Sequence, residues 1–437
     1  MNAVVGLFKI PDLRKRLLFT LGMLAIYRLG VHVPTPGIDK AALAELLKSM
    51  QGTVVSWFNL FSGGALERFS ILALGVMPYI SSSIIFQLLT VVIPQLGELQ
   101  KEGEQGRKKL TQYTRYGTVL LALIQSYGIA TALQASSQQV VLHPGLGFKL
   151  MTMVTLTTGT IFLMWVGELM SERGIGNGIS FLIYAGIAAR VMDGVGSGLD
   201  SLKRGDITFL KLLIVLALII GTFFIIIMVE RGERRVEIQH AKRLTGRKVY
   251  GGQASYIPLK VNTAGVIPPI FASSLIMFPA TFSTFLPGQT WLRTLTDQIA
   301  PGSLGYEVLF VGLIIFFAYF YTAVAFKTDE VAENLHKSGA SIPGFRPGVD
   351  TANRLDYILS RITLGGAIYI AAICVLPTIF TQTMKVPFLA GFGGTSVLIL
   401  VGVALDTLAQ IETFLMSNNY SGFMKHARIQ GRTVYSS

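Results

Sequence analysis

The strongest constraint on this chain comes from its apolar runs. Several carry at most one or two ionisable groups over roughly 18–25 residues, the length needed to cross a hydrocarbon core about 30 Å thick. Ten candidate spans result, at roughly 17–33, 73–94, 114–134, 149–170, 179–194, 208–229, 263–284, 307–326, 358–381 and 393–412. Inside a bilayer every backbone N–H and C=O must be paired within its own segment, and these runs lack the alternation of barrel strands. Each is therefore read as a helix, and the expected fold class is an all-α integral membrane protein with ten transmembrane helices. Composition agrees: 51% of the 437 residues are hydrophobic and 14% charged, with a mean hydropathy of +0.56, where a soluble domain is about a quarter charged. The opening MNAVVGLFKIPDLRKR places a basic segment before an apolar run, as a secretory signal would. No small-residue cleavage site follows, and Leu17 to Val33 is long enough to span, so this run is read as a retained first helix. The lone Cys374 excludes an internal disulfide framework and is expected simply to pack.

Charge gives the orientation. With ten spans, both termini share one side with the loops near 95–113, 171–178, 230–262 and 327–357. That side holds about 26 of the 37 Lys and Arg, and because cytoplasmic loops carry the positive excess, both termini are expected in the cytosol. Orientation and attraction to anionic lipid account for most basic loops. The loops 231–260 and 327–357 exceed that need. Each is about 30 residues long where short connections are the norm, and loops longer than closure requires are commonly binding elements. A net charge of +13 and a pI of 9.7 suit an acidic protein or ribosomal RNA, without choosing between them.

Two membrane segments are interrupted. The stretch 55–94 is too long for one span; Gly63, Gly64, Glu67 and Arg68 cut its first part, and Gly75 and Pro78 mark a new start. It reads either as a half-helix re-entering from outside, tolerable only where protein or water surrounds it, or as an amphipathic helix lying on the outer surface. The seventh span carries Pro268 and Pro269 in its first half, which reads as a kinked helix or as a moving gate.

Ionisable groups within the spans sit near their ends, at Arg28, Glu168 and Asp406. A proton- or sodium-coupled carrier keeps carboxylates at the midplane, where a charge costs about 2.5–3.5 kcal/mol or more. That pattern is missing, which weighs against the alternative function class, a small-solute secondary transporter. His32, His143, His240, His336 and His426 are far apart, without a metal-binding spacing. The chain has no Gly-Lys pair and so no phosphate loop, and GFGGT at 391–395 reads as a turn. No catalytic residue, metal or cofactor is expected.

Seven strings carry a resemblance: FSGGAL (61–66), ALGVMPYISSSIIFQLL (73–89), ERGIGNGIS (172–180), VERGERR (229–235), PLKVNTAGVIPPIFASS (258–274), IPGFRPGVDT (342–351) and GGTSVLI (393–399). In order and spacing they resemble the SecY/Sec61-alpha family of protein-conducting channels over essentially the whole chain. The resemblance implies two pseudo-symmetric halves, residues 1–205 with spans 1–5 and residues 206–437 with spans 6–10, around a central pore. The re-entrant half-helix near 55–70, with Phe61, Gly63 and Gly64, would be a plug. Val76, Ile80, Ile179, Ile183, Ile270 and Ile399 would line the pore ring; the family often has isoleucine at position 76, so valine widens it slightly. Ser81, Gln87, Asn262 and Phe278 would lie along a lateral gate between the second and seventh spans. A hydrogen bond between Gln87 and Asn262 across the closed gate would satisfy both. Arg346, Lys242, Arg243 and Arg247 would dock the SecA ATPase or the ribosome.

The function so implied is the translocation of unfolded secretory chains across the bacterial cytoplasmic (inner) membrane and the sideways release of transmembrane segments into lipid. The chain itself would be a passive channel driven by an ATPase, the ribosome or the proton gradient. SecE and SecG are the implied small membrane subunits; signal peptides, nascent chains and anionic lipids are the other implied partners.

Overall fold

The computed structural model describes residues 10–49, 62–135, 140–205, 207–240, 243–245, 248–250, 254–285, 298, 303–384 and 393–426. A helix lies on each of the ten expected spans: α1 (Pro11–Val31), α3 (Met77–Val92), α5 (Glu104–Ala135), α6 (Leu146–Arg173), α7 (Gly178–Arg204), α8 (Phe209–Glu230), α9 (Ile267–Phe285), α10 (Leu304–Ala325), α12 (Val349–Met384) and α13 (Gly394–His426). Three shorter helices complete the described set: α2 (Lys40–Ser49), α4 (Pro94–Lys101) and α11 (Thr328–Lys337). Among the described residues, seven helices are long and apolar enough to cross a membrane. An eighth is added if α3 and α4, bent by 101° at Ile93, are one broken span. α1 falls short of that measure because Arg14, Lys15 and Arg16 occupy its beginning and Arg28 its last turn.

The surface of α8 shows what surrounds the bundle. Only Val215 and Ile226 of this helix are buried, while Phe209, Phe224 and Met228 are each about two-thirds exposed, at 67%, 68% and 68%. An apolar face of that extent has no place in water. It belongs in hydrocarbon.

Sequence chemistry explains where the helices begin. α3 starts at Met77 with Pro78 in its first turn, where a missing N–H costs nothing; this is the restart expected from Gly75 and Pro78. Pro268 and Pro269 act the same way. They occupy the second and third positions of α9, among the N–H groups that no helix can pair internally, so they start that helix rather than kink it. The proline inside α9 is Pro279.

Of the half-helix expected near 55–70, residues 55–61 lie outside the described set, and residues 62–70 run as successive turns rather than helix. Gly63, Gly64, Phe69 and Gly75 have φ of +65°, +84°, +42° and +59°, left-handed values that a right-handed helix cannot absorb. The all-α expectation also needs one amendment. The two long loops are joined in a small antiparallel sheet, in which β1 (Glu233–His240) pairs with β4 (Ala254–Lys260) and with β5 (Ala340–Ser341). A separate pair, β2 (Arg243–Thr245) with β3 (Lys248–Tyr250), forms the inner hairpin. Val236 and Ile238 face in while Arg235, Glu237 and Gln239 face out, the two-residue period of a half-buried strand. Beneath the larger sheet, Val236, Leu259 and Ile342 pack on Leu355 and Leu359 of α12. The two loops are thus one platform.

Candidate pore, gate and docking surface

The six apolar positions expected to ring a pore come together. Val76, Ile80, Ile183 and Ile399 are buried in one hydrophobic cluster, with Ile179 and Ile270 packed against it. All six lie within two turns of a helix start: Val76 caps α3 and Ile80 follows; Ile179 and Ile183 open α7; Ile270 lies in α9 and Ile399 in α13. Asn177 fixes the start of α7 by accepting from the N–H groups of Ile179 (3.1 Å) and Ser180 (3.4 Å). The cluster runs from Tyr27 to Val403 and so draws on most of the chain. Branched aliphatic side chains offer no hydrogen bonds and can exclude water without choosing a sequence.

The turns at 62–76 sit on this cluster, to which Ala65 and Leu72 belong. Tyr27 Oη donates to the Ser62 carbonyl (3.2 Å) and Arg28 Nη1 to the Gly63 carbonyl (3.2 Å). Glu67 pairs with Arg190 of α7 at 3.2 Å. Gly63 meets Gly186 of α7 so closely that a Cβ on it would stand 2.6 Å from the Gly186 Cα. Leu66 and Phe69 enter a second cluster with Leu133, Val140 and Phe148. Phe61 lies outside the described residues.

The expected gate helices α3 and α9 pack against each other. Ser81 is buried on α3, while Gln87 is exposed. Asn262 is buried, and its partners are not those expected. Its Nδ2 donates to Glu230 Oε1 (2.6 Å) and to the Gly265 carbonyl (3.1 Å), and its Oδ1 accepts from the Gly265 N–H (3.0 Å). The anticipated Gln87–Asn262 bond is therefore replaced by one to the carboxylate that ends α8. Phe278 lies on α9, with its side chain outside the described set. Of the two acids expected near span ends, Glu168 is paired with Arg115 at 2.8 Å. Removing the amide with Asn262→Ala leaves Glu230 without this bond. The expected loss is about 1.5–3 kcal/mol, the worth of a hydrogen bond to a charged group, read as a lower unfolding temperature in nanodiscs. An unchanged temperature would show that Glu230 finds another donor.

On the platform, Arg346 stands exposed in the turn between β5 and α12. Its carbonyl accepts from Thr351 Oγ1 (2.8 Å), and glycines at φ +83° (Gly344) and +106° (Gly348) flank it. Beside it the Arg354 guanidinium lies over Phe345 (5.1 Å to the ring centroid) and over Tyr357 (5.5 Å), and Arg361 lies over Tyr357 (4.5 Å). On β1, Arg235 hydrogen-bonds Glu233 at 2.9 Å, which raises its pKa above the ordinary arginine value. Lys242 and Arg247 lie outside the described residues; Arg243 opens β2, with its side chain outside them. Sequence reasoning missed Glu230, which entered it only as part of the string VERGERR (229–235), and the cationic–aromatic set at 354, 357 and 361. Their three- and four-residue spacing was the available signal for the latter.

Membrane-length helices folded about one sequence-neutral apolar cluster, with a basic platform beyond their ends, define a multi-pass helical membrane protein of the channel kind. The SecY family model matches residues 70–408. "Protein translocase subunit SecY" of Escherichia coli (strain K12) is 51% identical over 425 residues, covering 96% of each chain. Among solved structures, "The structure of a protein conducting channel" aligns with a TM-score of 0.64 at 16% identity, covering 92% of each chain. "Sec61 in the Canine ribosome-channel complex from the endoplasmic reticulum" aligns with a TM-score of 0.60 at 15% identity, again over 92% of each. The chain belongs to the SecY family.

Proposed function

We propose that this chain is the pore subunit of a protein translocase. It passes unfolded secretory polypeptides across the bacterial cytoplasmic membrane and releases transmembrane segments sideways into lipid. In this reading all ten helices cross, both termini are cytosolic, and the halves 1–205 and 206–437 part around the pore. The observation that carries the proposal is the convergence of Val76, Ile80, Ile179, Ile183, Ile270 and Ile399, from both halves, on one apolar cluster. Such a ring seals against ions yet binds no particular peptide. The translocase names of the curated relatives support the same reading.

Segment 55–70, with Phe61, Gly63 and Gly64, serves as the plug, and α3 and α9 as the two sides of the lateral gate, with Ser81, Gln87, Asn262 and Phe278 along it. The channel hydrolyses nothing itself; SecA, ribosomal elongation or the proton gradient supplies the drive. The platform, with Arg346 and the basic residues Lys242, Arg243 and Arg247, receives SecA or the ribosome. SecE and SecG complete the membrane complex.

A crosslinking experiment tests the pore. In a Cys374→Ser background, Ile183→Cys or Ile399→Cys is placed in membrane vesicles with a secretory substrate, carrying one cysteine, arrested in transit. Disulfides form at these positions and are absent at the lipid-facing control Phe224→Cys. Efficient translocation without such crosslinks would remove these residues from the path.

A further inference from the structure

We infer that Arg354 is a positioning residue for Arg346, and that Phe345, Arg354, Tyr357 and Arg361 form a strut tying the docking turn to the membrane-spanning helix. This deepens the docking reading of Arg346 and rests on it.

The turn at 342–348 is sharp, with two left-handed glycines on either side of Arg346, and a turn of that kind does not hold a long side chain in one direction by itself. Three contacts restrain it. Ile342 is anchored in the apolar layer beneath the sheet, its carbonyl accepting from the Phe345 N–H (3.1 Å). Thr351, buried in the first turn of α12, holds the Arg346 carbonyl. The third contact is the ring of Phe345, the residue adjoining Arg346. That ring is 39% exposed, and the Arg354 guanidinium lies over it.

Arg354 is held in turn. Its guanidinium also lies over Tyr357, one turn further along α12, and Arg361 lies over the same ring one turn beyond. The residues 354, 357 and 361 share one face of the helix. Arg361 is the last charged residue before an uncharged stretch from Ile362 to Met384, which places it at the membrane boundary. The stack therefore runs from that boundary to the residue beside Arg346. Arginine suits the linking position: its guanidinium is planar and weakly hydrated, and stacks on aromatic faces better than an ammonium does.

The test uses the full chain in its membrane complex with Cys374→Ser. Arg346→Cys carries a nitroxide, whose motion reports the turn without any docking partner. Arg354→Met keeps side-chain length but removes the attraction to both rings. It is expected to shorten the label's rotational correlation time about threefold within the nanosecond range, with Arg354→Lys intermediate. An unchanged spectrum overturns the strut. Phe345→Leu, which removes the ring instead of the cation, gives the same reading should Arg354→Met assemble poorly.

Binding of the SecA ATPase separates positioning from direct contact. Arg354→Met is expected to weaken it about fivefold and to cause no further loss on an Arg346→Ala background. A further, additive loss would mean that Arg354 touches the partner itself, and the positioning role would be withdrawn. The docking reading fails separately, if Arg346→Ala alone leaves SecA binding unchanged; the label's response would then still decide whether the strut exists.

Discussion

Planar bilayers carrying the Gly63→Val protein are expected to leak ions at rest at least about tenfold more than bilayers carrying the unchanged chain. Gly63 has φ +65°, and a Cβ there would lie 2.6 Å from the Gly186 Cα and 3.0 Å from the Tyr27 hydroxyl. The nearest obstacle is the backbone of α7, which cannot rotate aside as a side chain would. A branched side chain adds left-handed strain to overpacking, together about 2–4 kcal/mol against the seated segment. Each 1.4 kcal/mol is a tenfold change in population. The same displacement stretches the bonds from Tyr27 and Arg28 to the Ser62 and Gly63 carbonyls. Gly63→Ala, with less bulk, should leak less than the valine. A resting conductance equal to wild type, with the protein inserted, would show that these turns are not what seals the pore.

The second large effect is a charge reversal on the platform. Arg346→Glu is expected to slow SecA-driven translocation into vesicles about thirtyfold or more. Truncating one partner of a hydrogen-bonded charge pair costs about 2–5 kcal/mol, and reversal adds repulsion. Arg346 is exposed and is not part of the apolar cluster, so insertion and resting conductance should stay as they are. Arg346→Lys should fall between, because an ammonium keeps the charge but lacks the planar fork. Translocation within threefold of wild type after reversal would move the docking site elsewhere on the platform.

What was legible in the sequence follows from interactions set within one stretch of chain. Hydropathy located a helix at each expected span because a bilayer demands long apolar segments with internally paired backbones. The restart at Gly75 and Pro78 was readable because a proline in the first helical turn is a local rule. The period of Val236 and Ile238 was equally available, but it lay inside a charged loop and was not read as a strand. Pro268 and Pro269 illustrate a boundary error: placing the helix start a few residues early turned two initiating prolines into an apparent kink.

Other features rest on groups that meet only after folding. Nothing near Asn262 in sequence marks Glu230, 32 residues away, as its partner; the return of β4 alongside β1 brings the segments that hold them together. The turns at 62–76 bring Gly63 against Gly186, more than a hundred residues on. The sequence by itself determined which segments form long apolar helices and which loops carry the basic charge, since hydropathy and charge are properties of single segments. Tertiary structure decided the rest. Six aliphatic residues from four helices share one cluster, and two loops share one sheet, because close packing and hydrogen bonding depend on distances that chain order does not encode.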